Sequence, residues 1–238
     1  LTARILKVAN SALYARQSEV ANLQVAISLL GFKNIKSLVL LITASQFSKE
    51  IKSSEYMNTF WEHSIATAFI AKHIMQRKKD RANEEIAFVA GLLHDIGQVP
   101  LFQSDPTMYE NLLESENSIN ETIELAERRI FQIDHREIGG SLLARWNFPE
   151  VYVDAAREHN TLNINSRHKK LVLTITLADI LSDYLGYGQR EGSRDKLLES
   201  VLVLTNHNQE DLDYFKNDYL DVFEGDPLFK ECERLFIK

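Results

Sequence analysis

The chain of 238 residues contains one cysteine, Cys232, four prolines and nine glycines. A single thiol excludes an internal disulfide and a thiolate metal site, and it predicts a reducing, cytoplasmic setting. The scarcity of proline and glycine excludes collagen-like and low-complexity chains. Positive charge is also short: 27 Lys and Arg stand against 34 Asp and Glu, for a net charge of -7. That balance argues against a broad nucleic-acid footprint. Long apolar runs are missing too. Leu38–Ile42 and Phe88–Leu93 fall far below the roughly 18 residues a membrane span requires, and no charged-then-apolar leader opens the chain. The first residues, Leu1-Thr2-Ala3-Arg4-Ile5, read as the inside of a helix without an initiator Met, which leads us to expect upstream sequence. What is present is 45% hydrophobic and 26% charged residues, a composition able to bury a core.

The patterning is helical. Trp61, Ile65, Ala68 and Phe69 recur at the three- and four-residue spacing of one helix face. Similar stripes run through Glu84–Ile96, Glu121–Phe131, Arg136–Trp146, Lys169–Leu185 and Leu212–Phe223. Asp105-Pro106 and Asp226-Pro227 pair an N-cap residue with a proline at the first helical position, and Val99-Pro100 and Phe148-Pro149 mark further breaks. Leu38–Ile42 and Val172–Thr176 are β-branched enough to suggest strands, but both continue as longer apolar-periodic segments, and no Asn-Gly or Asp-Gly hairpin dipeptide occurs. The expectation is an all-α fold of about a dozen helices. The polar stretch Lys49–Ser54 and the glycine-rich Gly186–Ser193 divide it into an N-terminal helical lobe (1–50), a central His-bearing core (51–190) and a C-terminal helical segment (191–238).

Two polar intrusions into apolar helices point to chemistry. Ala87-Phe88-Val89-Ala90-Gly91-Leu92-Leu93-His94-Asp95-Ile96-Gly97 is apolar all round yet carries His94 beside Asp95. A buried carboxylate without a partner costs several kcal/mol. A metal ion relieves this by accepting the imidazole lone pair and the carboxylate together; a hydrogen-bonded His–Asp pair is the other reading, and the dipeptide alone leaves both open. Asp179, inside Leu171–Leu181, likewise requires a cation or strong donors nearby, or else an Arg or Lys from another helix. Asp183, nearer a polar end, reads as solvated. His63, His135 and His159 lie on or at the ends of further helices. His73, His168 and His207 have polar neighbours and read as surface residues. Gly139-Gly140 reads as a place of close helix packing.

The tetrad His94-Asp95-Ile96-Gly97, with His63 upstream and Asp179 downstream, resembles the HD superfamily of metal-dependent phosphohydrolases. Leu6-Lys7-Val8-Ala9-Asn10-Ser11-Ala12 with Ala26–Gly31, and His135–Gly140 through Trp146-Asn147-Phe148-Pro149, are similar to the HDOD family (HD-related output domains) over about residues 1–210. The resemblance implies that His63, His94, Asp95 and Asp179 hold one divalent transition metal (Fe, Mn, Zn, Co or Ni). His135 and His159 fall where binuclear members of the superfamily add a second ion, with Asp95 as the natural bridge, so the resemblance implies one or two ions. Such ions, roughly 3.5–4 Å apart, suit in-line displacement at phosphate. Arg129, Arg136 and Arg157 lie near the His-bearing helix ends, where they read either as phosphate contacts or as ordinary solvated arginines. HDOD proteins are generally regarded as signalling output modules, so the resemblance implies a regulatory domain that binds a protein partner or a nucleotide messenger, with no membrane. The alternatives it leaves are a metal-dependent phosphohydrolase acting on a nucleotide or other phosphate ester and, further off, di-iron oxygenase chemistry. His159 is followed by Asn160 and no Gly-Tyr-Pro occurs, a departure that argues against cyclic-dinucleotide hydrolysis. DNA binding through the Asn22–Gln46 region has only Lys33 and Lys36 to support it and is not expected.

Overall fold

In the computed structural model, residues 23–31, 39, 55–119, 122–188, 194–219, 224–226, 229–230 and 232 are described. Every regular element among them is a helix: α1 (Leu23–Leu30), α2 (Glu55–Arg77), α3 (Glu84–Leu93), α4 (Gln98–Ser104), α5 (Pro106–Ile119), α6 (Ile123–Phe131), α7 (His135–Arg145), α8 (Glu150–Glu158), α9 (Lys169–Tyr184), α10 (Asp195–Leu204) and α11 (Gln209–Asn217). The protein is all-α. Apart from Val39, Leu38–Ile42 lies outside the described residues, as do Leu6–Ala12, Lys49–Ser54 and most of Asn22–Gln46 beyond α1.

Two compact units are present, Leu1–Trp61 with Asp221–Lys238, and Glu62–Leu220. In the first, Ala26, Tyr56, Met57, Phe60, Trp61, Phe229 and Cys232 are buried, and Phe60 meets Trp61 edge to face with centroids 5.1 Å apart.

The second unit holds all the histidines. Its centre is formed by α3 and α9, which pack on each other. Both lack a polar face: Ala87–Leu93 and Leu171–Ser182 are buried without interruption, as expected of helices that are apolar all round. Val172–Thr176 is thus helix. Its threonine hydroxyls are satisfied inside the apolar surroundings by donating four residues back, Thr174 to the Lys170 carbonyl at 2.9 Å and Thr176 to that of Val172 at 3.1 Å. Close packing of α2 on α3 depends on Gly91, where a Cβ would lie 2.8 Å from Ala68 Cα. Beside it, Phe69 and Phe88 make an edge-to-face pair at 5.3 Å.

Helices α7 and α8 form a hairpin, and its second helix, α8, packs on α3 and α9. The turn between them bears Asn147 at φ 57°, a left-handed conformation that asparagine tolerates. Asp105 caps α5 by accepting from the Met108 N–H at 3.0 Å, as the Asp-Pro pattern predicts. The stretch Glu84–Ser104 is long and apolar enough for a membrane span, but it is mostly buried within the unit and its helix is interrupted at His94–Gly97.

Candidate metal centre

His94 and Asp95 occupy the turn between α3 and α4. This turn keeps helical dihedrals at His94 (φ -57°, ψ -40°) and Gly97 (φ -71°, ψ -17°), so it redirects the chain without exposing either side chain. Gly97 is required by a neighbour: a Cβ there would lie 1.9 Å from the His135 carbonyl oxygen and 2.6 Å from the Gly139 nitrogen. The start of α7 is thereby brought against the His-Asp turn. His135 is set at that start by two local devices. Gln132 ends α6 in the left-handed region (φ 64°), its N–H donating to the Arg128 carbonyl. Asp134 then caps α7, accepting from the Glu137 N–H at 2.9 Å. His159 ends α8, and the following Asn160 N–H donates to Thr176 Oγ1 of α9 at 3.1 Å. His63 projects from α2 and Asp179 from α9.

All six predicted residues meet in one place. Asp95, His94, His135, His159 and Asp179 are 0–2% exposed and His63 is 9% exposed. They form two groups. His63 Nε2 lies 3.4 Å from His94 Nε2 and 3.2 Å from Asp179 Oδ1. Asp95 Oδ1 lies 3.1 Å from His159 Nε2 and 3.3 Å from His135 Nε2, and those nitrogens are 3.3 Å apart. The Asp95 carboxylate spans the groups, since its Oδ2 is 3.4 Å from His94 Nε2.

The hydrogen bonds behind these rings settle their tautomers. A carbonyl only accepts, so His63 Nδ1 donates to Tyr187 O (2.9 Å), His94 Nδ1 to Gly91 O (2.7 Å) and His159 Nδ1 to Ala156 O (2.9 Å). In their neutral form these three imidazoles therefore present Nε2 lone pairs inward, and those of His63 and His94 face each other. Asp95 Oδ1 is buried between the Nε2 atoms of His159 and His135, at 3.1 and 3.3 Å. Converging lone pairs around two buried carboxylates call for a cation. At metal–ligand bonds of about 2.0–2.1 Å, neighbouring ligand atoms stand about 3 Å apart, which matches the spacings above. The mixed imidazole and carboxylate set fits a divalent transition metal.

Electrostatics supply a competitor for the metal, the proton. Burial pushes His94 down to about 4 despite the pull of Asp95 and Asp179, so it is neutral and ready to ligate. His135 behaves oppositely. Burial opposes its charge, but Glu127 and Asp95, one on each ring nitrogen, hold it well above its ordinary value. Burial likewise works against ionised Asp95 and is outweighed by the imidazoles around it, His94 and His135 first, which hold it well below the carboxylate range.

Several contributors carry no sequence signal of their own. Glu127, fully buried on α6, accepts from His135 Nδ1 (2.6 Å), the His135 N–H (2.8 Å) and the Tyr109 hydroxyl (2.6 Å). It is the carboxylate that orients a histidine from behind. Gln98 donates to Asp95 Oδ2 at 2.7 Å. Arg194 donates to Asp179 Oδ2 at 2.8 Å and to Asn160 Oδ1 at 3.0 Å, and it also pairs with Asp183.

Asp183 is therefore not the solvated carboxylate the sequence suggests; its side chain is 11% exposed and faces Arg194. Three histidines read as surface residues are half-buried instead. His73 bonds the Tyr214 hydroxyl at 3.0 Å, His168 Nδ1 donates to Asp154 at 2.8 Å, and His207 Nδ1 bonds Thr205 Oγ1 at 2.8 Å. Among the arginines proposed for phosphate, Arg136 is engaged with the His159 carbonyl and Asp134, and Arg157 lies along Gly140.

A helical unit built around a buried His-Asp centre defines the class of HD-related domains. The family model for the HDOD domain matches residues 1–162, and the chain belongs to that family. The match stops short of Asp179, which the fold nevertheless brings into the centre. An HDOD domain protein of unknown function from Geobacter sulfurreducens is similar in structure, with a TM-score of 0.77 and 25% identity, covering 100% of this chain and 82% of that one. The MmoQ response regulator from Methylococcus capsulatus str. Bath is similar with a TM-score of 0.54 and 25% identity, over 91% of this chain and 84% of that one. An uncharacterized protein from Treponema pallidum (strain Nichols) is 24% identical over 186 residues, or 78% of this chain. The match spans only 36% of that relative's length.

Proposed function

We propose that the chain is a signal-transduction output domain whose HD-type centre binds divalent metal in a regulatory, non-catalytic role. The observation that carries this reading is the closure of the centre. Five of the six candidate ligands are 0–2% exposed, and Arg194 lies across the outer oxygen of Asp179. A hydrolase needs the reverse, a face of the ions open to a phosphate ester with cationic groups lining it. Similarity to a response regulator agrees with a signalling role. The metal is a divalent transition ion held by His63, His94, Asp95 and Asp179, with His135 and His159 holding a second. When bound it supplies fixed positive charge that ties α2, α3, α7, α8 and α9 to one point. The output is then binding of a protein partner or a nucleotide messenger.

The second reading, a metal-dependent phosphohydrolase, is favoured by one feature: Asp95 offers an oxygen to each of two ligand groups, the arrangement a two-metal hydrolase uses. Metal-loaded protein assayed against phosphomonoesters, phosphodiesters and cyclic dinucleotides separates the two. The signalling reading expects no turnover above that of a His94→Ala, Asp95→Ala variant. Turnover that the double variant abolishes would replace it with the hydrolase.

A further inference from the structure

Arg194 sits at the start of α10, outside the six candidate ligands, and its side chain is only 16% exposed. Its guanidinium reaches three groups. One nitrogen donates to Asp179 Oδ2 at 2.8 Å and to Asn160 Oδ1 at 3.0 Å; the other lies 3.3 Å from Asp179 Oδ1 and pairs with Asp183. Asp179 Oδ1 is the oxygen that faces His63 and His94. Asp183 lies on the far side of His63, its Oδ1 3.8 Å from Nδ1, and Asn160 directly follows His159.

Asp95, Asp179 and Asp183 thus place three carboxylates around one nearly sealed site. Without any cation their mutual repulsion and desolvation would oppose folding. A guanidinium stays charged at every working pH and engages carboxylates through a rigid fork. Arg194 engages both oxygens of Asp179, the outer one at 2.8 Å and the inner one at 3.3 Å, so it compensates the acid while the inner oxygen still faces the imidazoles of His63 and His94.

We propose that Arg194 is the resident counter-ion of this centre: it keeps the unit folded when the metal leaves, which makes the metal exchangeable rather than obligatory. The inference rests on the metal-binding reading above and concerns a positioning residue, not a ligand. Its consequence has a definite sign. Losing Arg194 destabilises the metal-free protein more than the loaded one, so by linkage metal binds more tightly when Arg194 is gone.

The test compares wild type, Arg194→Gln and Arg194→Lys, each purified loaded with Mn²⁺ or Zn²⁺ and then stripped with chelator. Thermal unfolding is followed in both states, and metal affinity is measured by titration with the same ion. In Arg194→Gln the metal-free melting temperature is expected to drop by about 10 °C, or the stripped protein to unfold outright. Its loaded form changes little, and its metal affinity rises about tenfold. Arg194→Lys, which keeps the charge, stays nearer wild type in both measurements. Affinity that is unchanged or weaker in Arg194→Gln overturns the counter-ion role, as does failure of that variant to fold even with metal. If wild type itself binds no metal, the metal-binding reading falls; if wild type binds and Arg194→Gln is not tighter, only this inference falls.

Discussion

At the scale of single residues, the centre is organised from behind its candidate ligands. Three of its histidines owe their inward lone pairs to backbone carbonyls, which no side-chain substitution removes. The fourth, His135, owes its orientation to Glu127, and this makes the second group the more vulnerable. Glu127→Gln keeps the volume and removes the charge. It is expected to weaken the ion at His135 and His159 about tenfold while the ion at His63, His94 and Asp179 holds. Titration of the variant with Mn²⁺ should then show one site near wild-type affinity and one weakened. Equal weakening of both would contradict the division into two groups. Acid sensitivity is shared between His94, already placed at about 4, and a residue outside the centre. Burial lowers His207 from 6.5 to about 4, with the nearby charge of Lys78 acting in the same direction. The folded state therefore resists a proton that the unfolded chain accepts, so stability is complete above about pH 6.5 and declines as pH falls toward about 4. His207→Gln is expected to reduce that decline, leaving the share of His94, in denaturation measured across the interval. A variant curve parallel to wild type would contradict it.

At the scale of elements, turns and caps aim the site. Asp134 starts α7 by accepting from the Glu137 N–H, and it also accepts from Arg128 Nε at 2.8 Å. Asp134→Ala is expected to cost about 1 kcal/mol in urea unfolding and to loosen the second ion through the misplaced His135. Gly97 permits the contact of the His-Asp turn with α7, and the group it would meet is the backbone of His135 itself. No side-chain rearrangement can relieve that clash. Gly97→Ala is therefore expected to cost about 2–3 kcal/mol and to lower metal content, whereas a loss of stability with full metal retained would show that the turn adapts. The sequence makes this level only half legible. Helices that are apolar all round, α3 and α9, announce both their burial and the oddity of His94, Asp95 and Asp179 within them. The left-handed Gln132 gives no such sign, and Glu127 looks like one more charge on an amphipathic helix. Arg194 is equally silent. For Asp179 the sequence asks for a cation or strong donors, or an Arg or Lys from another helix; the fold supplies Arg194, which bonds both of its oxygens while the inner one also faces His63 and His94.

At the scale of the whole molecule, periodicity was sufficient to give the all-α class, because no segment alternates as a half-exposed strand does. It could not show which solvent-facing histidines are half-buried, since that depends on non-local partners such as Tyr214 for His73. The convergence of six residues from positions 63 to 179 is a property of the fold, and it joins helices far apart in the chain through one buried point. A ligand there should stabilise the unit as a whole by mass action. The most direct test is the metal content of the protein, purified without chelator or affinity nickel, beside the His94→Ala, Asp95→Ala variant. Two equivalents of transition metal per chain are expected, one at His63, His94 and Asp179 and one at Asp95, His135 and His159, with both lost in the variant. A wild-type protein free of metal, and a variant that is merely less stable, would contradict the account and leave the His94-Asp95 pair as a structural element of the core.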